Sequence, residues 1–138
     1  MMSDPKTRKT PKARILIVED DTPLAMMMVF LLTRAGCDVQ TAWNSDKAIR
    51  LAEDEDFDLI TLDVDLPRTS GFEICSRLKK NPRSRDTPIV FISGRPHEED
   101  VQRARELGAV DYIAKPFGVS DFTSRLLSHV RQVKEITR

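Results

Sequence analysis

The sequence predicts an α/β domain with a doubly wound, five-stranded parallel sheet, strand order 2-1-3-4-5, and five helices. From Ala13 onward, short apolar runs rich in β-branched residues alternate with longer segments of helical period, which is typical of repeated β-α units. The first run, residues 15–18, contains no polar residue, as expected for a strand that helices cover on both faces. The 138 residues leave room for one such domain and no internal repeat.

The first predicted helix begins near Thr22 and follows this strand closely. Thr22 is expected to cap the helix, Pro23 suits its first turn, and Gly36 ends it. The apolar stripe of the helix should face the sheet, and we interpret its methionines as core residues. This stripe consists of Leu24, Met27, Met28, Leu31 and Leu32.

The other four units repeat this pattern with their own start and stop signals. Ser45 is expected to cap the second helix. The third helix begins at Ser70 or Gly71 and ends before Pro82, since the residue that precedes a proline avoids helical backbone. The predicted strands are residues 39–42, 59–62, 89–92 and 112–114, and the last two helices are residues 98–107 and 119 to beyond 133.

Charge is balanced over the whole chain but not along it. There are 22 Lys and Arg residues against 22 Asp and Glu residues, yet residues 1–14 hold five basic residues and one acidic residue. We interpret residues 1–13 as a basic, disordered arm and residues 14–135 as the folded domain. Because that domain is then net acidic, we expect no direct nucleic-acid binding by it.

Composition also excludes several classes of protein. The longest apolar run, residues 24–32, is far shorter than the roughly 20 residues that a membrane span needs. We therefore predict no membrane association and a cytoplasmic location. Cys37 and Cys75 lie in no CxxC or Cys/His cluster, so neither a disulfide framework nor a zinc site is expected.

Acidic residues interrupt the chain where two predicted strands end. Strand one runs into Glu19, Asp20 and Asp21. Strand three runs into Asp63. The carboxyl ends of parallel strands lie on one edge of the sheet, so these carboxylates should converge there. A Mg²⁺ ion makes such a cluster tolerable, since it prefers oxygen ligands. Taken alone, the first acidic group equally fits a loop that caps the next helix through its dipole.

Ser93 follows strand four and Lys115 follows strand five. They supply the hydroxyl donor and the cation that an anionic group held near Asp63 needs. Pro116 disfavours helix at Lys115 and keeps that residue in extended backbone. Taken alone, Lys115 fits a surface lysine, and Ser93 with Gly94 fits a turn. Their joint position at the strand ends favours an anion site.

Four segments together resemble the receiver domain of two-component response regulators, a CheY-like domain with a flavodoxin-like fold. They are ILIVEDD (15–21), DLITLDVDLPRTSG (58–71), PIVFISG (88–94) and GAVDYIAKPF (108–117). Each motif is short, but their combination is specific. The resemblance extends over about residues 14–133, which is nearly the whole chain.

The resemblance implies that Asp63 is the phosphoacceptor and that a sensor histidine kinase or a histidine phosphotransfer protein supplies the phosphoryl group. It implies a Mg²⁺ ion held by Asp20, by Asp63 and by the backbone carbonyl of Asp65. Glu19 supports this ion, commonly through water. Such a domain is not an enzyme in the ordinary sense, because it catalyses only its own phosphorylation and dephosphorylation.

The same resemblance assigns the switch. Ser93 and Lys115 are expected to bind the phosphoryl group, and Tyr112 matches the aromatic switch position. Pro67 and Gly71 fit the loop after the phosphoacceptor. The output surface is formed by helix 4, strand 5 and helix 5, and it acts on a downstream protein or a fused output domain. A phosphorylation-dependent homodimer is also compatible with this scheme.

Five side chains have no role in the motifs. Asp65 and Arg95 flank the predicted site, and we hypothesise that this pair tunes how easily water attacks the acyl phosphate. Trp43 is interpreted as a packing residue or a partner contact. His97 and His129 have no metal-like companions and are interpreted as ordinary surface or partly buried residues.

Three other functions fit parts of the sequence less well. The Asp63-Val64-Asp65 segment also resembles the first motif of haloacid-dehalogenase phosphatases, but Pro67 and the two preceding β-α units disagree with that family. A pseudo-receiver that only binds partners would be expected to lack Asp63, Lys115 or the acidic pair, and all are present. The five glycines form neither GxGxxG nor GxxxxGK[ST], which disfavours a nucleotide-binding enzyme.

Overall fold

The structure, a computed structural model, describes residues 12–95 and 97–137, and side chains as far as residue 130. The predicted basic arm, residues 1–13, therefore lies almost wholly outside the described residues. The sheet strands are β1 (Arg14–Val18), β2 (Asp38–Ala42), β3 (Leu59–Leu62), β4 (Ile89–Ser93) and β5 (Asp111–Ala114). The helices are α1 (Thr22–Arg34), α2 (Ser45–Asp54), α3 (Gly71–Lys80), α4 (Glu98–Glu106) and α5 (Val119–Thr137). A two-stranded hairpin, Asp65–Leu66 with Thr69–Ser70, lies between β3 and α3.

The five strands form one parallel sheet in the order β2-β1-β3-β4-β5, which confirms the predicted doubly wound topology. Val18 pairs with Ala42 on one side and with Leu62 on the other, so β1 and both its neighbours end at the same level. Ser93, the last residue of β4, pairs with Ala114 of β5. The residues that follow these positions therefore share one edge of the sheet.

Alternate residues of β1 enter opposite layers of the core, because successive side chains of a strand point to opposite faces. Ile15 and Ile17 pack among residues of α1 and α5, whereas Leu16 and Val18 pack among residues of α2, α3 and α4. All four are almost fully buried. The edge strand β2 differs, since three of its five residues are only partly buried.

Two helix caps lie one residue earlier than predicted. The side chain of Asp21, rather than that of Thr22, caps α1 by accepting from the amide three residues on at 3.2 Å. Asn44, rather than Ser45, caps α2 in the same way at 2.9 Å. Asp21 and Asn44 have the extended backbone of an N-cap, whereas Thr22 and Ser45 already belong to the helices. The helix α3 begins at Gly71, one of the two predicted starts, and the side chain of Ser70 caps it.

The interpretation of the α1 methionines as core residues is correct for Met28 and wrong for Met27. Met28 is 1% exposed, whereas Met27 is 39% exposed and the neighbouring Met26 is 67% exposed. Met26 lies beside residues of the edge strand β2, beyond which the described part of the chain adds no further strand. A helix at the edge of the sheet therefore leaves one apolar flank open.

Cys37 and Cys75 are both buried free thiols, and burial raises the pKa of the Cys75 thiol to about 11. Both therefore serve as small apolar core residues. Within the described ranges, no helix combines the length and the apolar character needed to cross a membrane.

Candidate phosphorylation site

Backbone hydrogen bonds of the sheet continue past the strand ends and fix the first residue beyond each. The N–H of Glu19, which follows β1, donates to β2 at 3.0 Å. The N–H of Asp63, which follows β3, donates to β1 at 3.2 Å, and the N–H of Lys115, which follows β5, donates to β4 at 2.8 Å. All three side chains therefore start from defined positions on one edge of the sheet.

Lys115 joins the acids that follow two different strands. Its Nζ donates to Asp63 Oδ2 at 2.9 Å and to Glu19 Oε1 at 3.0 Å. Asp63 is 6% exposed and Glu19 is 3% exposed. Buried carboxylates need a counter-charge or several hydrogen bonds, so the ammonium group both neutralises and positions them.

Backbone amides hold the other oxygens of the two buried acids. Asp63 Oδ1 accepts from the N–H of Asp65 at 3.0 Å, and Glu19 Oε2 accepts from the N–H of Asp21 at 3.1 Å. Glu19, Asp20 and Asp63 each offer a carboxylate oxygen, and these oxygens lie within 4.8 Å of one another. Asp20 is exposed, so the cluster opens to solvent on its side.

The pKa shifts in this cluster reflect burial and the sharing of one ammonium group by two carboxylates. Burial and the neighbouring Asp63 carboxylate raise the pKa of Glu19, and the hydrogen bond from Lys115 only partly opposes them. Burial lowers the pKa of Lys115, but hydrogen bonds to Asp63 and Glu19 outweigh burial and leave that pKa above its ordinary value. Three neighbouring carboxylates, two of them paired with Lys115 and the third exposed to solvent, are a donor set that fits Mg²⁺.

Gly71 allows the loop that follows Asp63 to fold back onto it. A Cβ atom at Gly71 would lie 2.1 Å from the carbonyl oxygen of Asp63, far inside any tolerable contact distance. The Gly71 N–H also donates to the carbonyl of Val64 at 2.8 Å, and Ser70 caps α3 directly before it. The close approach of two backbones therefore explains why a glycine stands at this position.

Ser93 and Tyr112, the two predicted switch residues, both contact the backbone of Arg95. Ser93 Oγ accepts from the Arg95 N–H at 3.1 Å, and the Tyr112 hydroxyl donates to the Arg95 carbonyl. Ser93 is fully buried, whereas Tyr112 is partly buried and its ring stacks on that of Phe91 with the centroids 6.2 Å apart. Burial raises the pKa of Tyr112. Ser93 and Tyr112 thus contact the same loop, the one that carries Arg95.

The Arg95 side chain connects the site with α4. Its Nη1 donates to Asp65 Oδ1 at 3.1 Å, and its Nε lies 3.4 Å from Asp100 Oδ2. Asp100 is 8% exposed, and among the described residues its Oδ2 accepts no hydrogen bond. Sequence reasoning missed Asp100 because an acid in the first turn of a helix is expected from the helix dipole alone, and only the fold shows that it is buried.

Trp43, His97 and His129 do not belong to the acidic cluster of Glu19, Asp20 and Asp63. Trp43 is 57% exposed, with Lys47 Nζ 4.1 Å from the centre of its ring. His97 is exposed at the start of α4, and its side chain makes no cap hydrogen bond. His129 is partly buried, with Nε2 3.0 Å from Asp111 Oδ2. The interpretation of both histidines as surface or partly buried residues agrees with these positions.

Known proteins match this sequence over most of its length. A family model for the response regulator receiver domain matches residues 15–127. The phosphate regulon transcriptional regulatory protein PhoB of Escherichia coli is 38% identical over 120 residues, which cover 87% of this chain and 52% of PhoB. The DNA-binding dual master transcriptional regulator RpaA of Synechocystis sp. is 35% identical over 123 residues, which cover 89% of this chain and 51% of RpaA. The chain thus spans about half the length of these curated relatives.

Solved structures share the fold as a whole. The CheY-like receiver domain protein of Methanospirillum hungatei has a TM-score of 0.84 at 25% identity, covering 90% of this chain and 98% of that one. The non-phosphorylated HemR receiver domain of Leptospira biflexa has a TM-score of 0.81 at 33% identity, covering 86% and 94%. Fold, acidic edge and sequence matches define a class of signalling domain, and this chain belongs to the response regulator receiver family of two-component systems.

Proposed function

We propose that this domain accepts a phosphoryl group on Asp63 from the phosphohistidine of a sensor histidine kinase or a histidine phosphotransfer protein. The proposal depends above all on the 2.9 Å contact between Lys115 and the buried Asp63 carboxylate, within an acidic cluster that opens to solvent. A carboxylate oxygen of Asp63 forms a bond to phosphorus while the P–N bond breaks, and the imidazole leaves with the electron pair.

Glu19, Asp20, Asp63 and the backbone carbonyl of Asp65 are the groups proposed to hold Mg²⁺, with Glu19 acting through water. When bound, this ion neutralises negative charge on the phosphoryl oxygens. Lys115 already contacts the acceptor carboxylate and supplies a second positive charge on that side. Ser93 supplies a hydroxyl that donates to a phosphoryl oxygen. Positioning and charge neutralisation supply most of the catalysis of this reaction.

Intact-mass measurement tests this proposal directly. Incubation with Mg²⁺ and acetyl phosphate or phosphoramidate should add one phosphoryl group to the wild type and none to Asp63→Asn. Asp86→Asn is the matched control, because Asp86 carries a side chain that is 96% exposed, and it should behave as the wild type. Full phosphorylation of Asp63→Asn would overturn the proposal. Multiple turnover of a small phosphate ester would instead favour the phosphatase alternative.

The proposed switch uses the loop that carries Arg95. A phosphoryl group brings additional negative charge and three acceptor oxygens to Asp63. Ser93, drawn toward it, gives up the hydrogen bond that its Oγ accepts from the Arg95 N–H. The Arg95 carbonyl, which accepts from Tyr112, then moves as well, and the change reaches the surface formed by α4, β5 and α5.

The proposed partners of that surface are a downstream protein or a fused output domain, and a phosphorylation-dependent homodimer is also proposed. PhoB and RpaA, which are named as transcriptional regulators, support a fused output domain that binds DNA. That the receiver domain itself makes no nucleic-acid contact stays a prediction. Sedimentation with and without beryllium fluoride tests the homodimer, since only the loaded protein should dimerise. A cytoplasmic location, where the kinase would act, stays a prediction.

We also propose that the Asp65–Arg95 ion pair slows hydrolysis of the acyl phosphate. Its two side chains meet at 3.1 Å beside the acceptor and restrict the approach of water to that side. The Asp65→Asn, Arg95→Ala double variant should release phosphate several-fold faster after the donor is removed. Equal lifetimes in the double variant and the wild type would contradict this role.

A further inference from the structure

An apolar groove lies along α1 beside the edge strand β2. It has a volume of about 1030 Å³. Three large side chains on its sides are well exposed, with Met26 at 67%, Phe30 at 58% and Trp43 at 57%. The smaller groove residues include Ala25, Val29, Val39 and Thr41. An exposed apolar surface of this kind, bordered by charged groups, is typical of a site of macromolecular contact.

The layering of the fold indicates which shape the groove accepts. α1 covers Ile15 and Ile17 of β1, whereas Val39 and Thr41 of β2 line the open groove. A second helix parallel to α1 would cover these β2 residues as α1 covers those of β1. The 13 residues of α1 span about 20 Å, which sets the length of the segment that fits beside it.

The charges around the groove indicate what the edges of that helix carry. The Arg34 guanidinium lies 5.6 Å from the centre of the Phe30 ring, and Lys47 Nζ lies 4.1 Å from the centre of the Trp43 ring. Glu19 lines one end of the groove but is already paired with Lys115. Arg34 and Lys47 of one copy would repel the same residues of a second copy, which opposes a symmetric contact between copies of this chain. The two positive charges instead favour an acidic partner.

We infer that the groove between α1 and β2 binds an amphipathic helix of another protein, with an apolar face toward the groove and Asp or Glu residues along its edges. Helix-in-groove binding uses apolar anchors at positions i, i+3, i+4 and i+7. The groove is separate from the α4, β5 and α5 surface. It is also separate from the apolar surface beside Lys115 that is formed by Leu24, Met27 and Phe117. This contact therefore goes beyond the proposed phosphorylation.

A display library of helical peptides tests the inference on the full chain. The peptides are about 14 residues long, with apolar residues fixed at helical spacing and the flanking positions random. Selection on the wild type, with counter-selection on a Met26→Ser, Phe30→Ser double variant, should enrich Asp and Glu at the flanks. Trp43 is the only tryptophan, so binding of a peptide without tryptophan should shift its fluorescence to shorter wavelength.

Two further variants sharpen the result. Val119→Ser removes an apolar residue that is 52% exposed on α5 and should leave peptide binding unchanged. The Arg34→Glu, Lys47→Glu double variant should invert the preference, binding peptides with basic flanks about tenfold more tightly than peptides with acidic flanks. Circular dichroism melting confirms that each variant is folded.

Three results would overturn the inference. These are no enrichment over the counter-selected variant, equal affinity of the enriched peptides for the wild type and that variant, and a concentration-dependent dimer that Phe30→Ser abolishes. The dimer would show that a second copy covers the groove. All measurements omit Mg²⁺ and phosphoryl donors, so their outcome is independent of whether Asp63 is phosphorylated.

Discussion

Two carboxylates at opposite ends of the sheet have opposite pKa shifts. Asp111 begins β5 at the amino end, and Glu19 follows β1 at the carboxyl end. Burial alone would raise both pKa values. At Asp111, hydrogen bonds from Arg125 at 3.1 Å and His129 at 3.0 Å outweigh burial and hold the pKa below its ordinary value. At Glu19, burial outweighs the hydrogen bond from Lys115, and the pKa of Glu19 lies above its ordinary value.

The difference separates a cluster with matched charges from the candidate site, where negative charge is in excess. Asp111 has two partners of its own, so its charge stabilises the fold. Glu19 shares Lys115 with Asp63, and Asp20 adds a third carboxylate to the same cluster. The carboxyl end is therefore short of positive charge. Such an arrangement lowers stability, as is common at sites where stability and activity compete.

The largest expected effect comes from Gly71→Ala, which disrupts the carboxyl end of the sheet through a steric clash without changing any charge. The added Cβ collides with the Asp63 carbonyl, so the loop must move away from the acceptor. We expect the free energy of unfolding in urea to fall by about 3 kcal/mol and phosphorylation by acetyl phosphate to be lost. Gly94→Ala is the control, because a Cβ at Gly94 meets no atom within 4 Å. Equal stability of the two variants would contradict the role assigned to Gly71.

Asp111→Asn tests the amino end of the sheet. We expect the free energy of unfolding at pH 7 to fall by about 2 kcal/mol, which is typical for loss of hydrogen bonds to a charged group. The folded pKa of Asp111 lies below its unfolded value. Its contribution is therefore fully present above the unfolded pKa of about 4 and is lost as the pH falls through the folded pKa.

The pH dependence of urea unfolding distinguishes this effect from a general loss of packing. Asp111→Asn should be less stable than the wild type at pH 7, and the gap should narrow as the pH falls through the folded pKa. Asp38→Asn, which changes an exposed acid at the start of β2, is the control and should shift stability much less. A gap that stays constant from pH 7 into acid would show that Asp111 stabilises through packing rather than charge.

The sequence predicted the sheet order and the position of the acids, because apolar runs place strands and a parallel sheet brings their carboxyl ends together. The sequence-based prediction was wrong for features that a single residue decides, such as a helix cap, and for features that depend on tertiary neighbours. The caps moved to Asp21 and Asn44 because only the backbone shows which residue precedes the helix. Met26 and Met27 match the apolar content of a core helix, and only the open edge of the sheet explains their exposure.

Within the site, residue type predicted the acids and the lysine but not their charge balance. That Lys115 serves both Glu19 and Asp63 follows from side-chain geometry, which spacing along the chain does not contain. Burial of Asp100 beside Arg95 likewise depends on how α4 packs. The short hairpin after β3 escaped prediction because each of its strands has only two residues, too few to show an alternating pattern.

Added Mg²⁺ should stabilise the carboxyl end alone. At a concentration ten times its dissociation constant, binding to the folded state adds about 1.4 kcal/mol to the free energy of unfolding. Thermal melting should show this gain in the wild type and in Asp111→Asn, but not in Asp20→Asn. A gain that persists in Asp20→Asn would place the ion elsewhere.

Glu19→Gln tests the smallest and most pointed difference between the ends, namely that the charge of Glu19 destabilises the fold. The amide oxygen still accepts from Lys115, and the repulsion with Asp63 disappears. The amide group cannot also accept from the Asp21 N–H as Oε2 does, and we expect the loss of that hydrogen bond to be the smaller effect. Because the folded pKa of Glu19 is raised, stability is greater below its ordinary pKa and falls as the pH rises toward the folded pKa. At pH 7 in EDTA, the free energy of unfolding of Glu19→Gln should therefore be about 1 kcal/mol higher than that of the wild type.

Glu53→Gln, at an exposed position of α2, is the matched control and should change stability little. Glu19→Gln also tests the ion site. This variant should be more stable than the wild type in EDTA but should gain less stability when Mg²⁺ is added. If Glu19→Gln is instead less stable than the wild type in EDTA, the Glu19–Lys115 contact stabilises the fold as the Asp111 contacts do. The two ends of the sheet would then differ in their ligands and not in the way their charges act on folding.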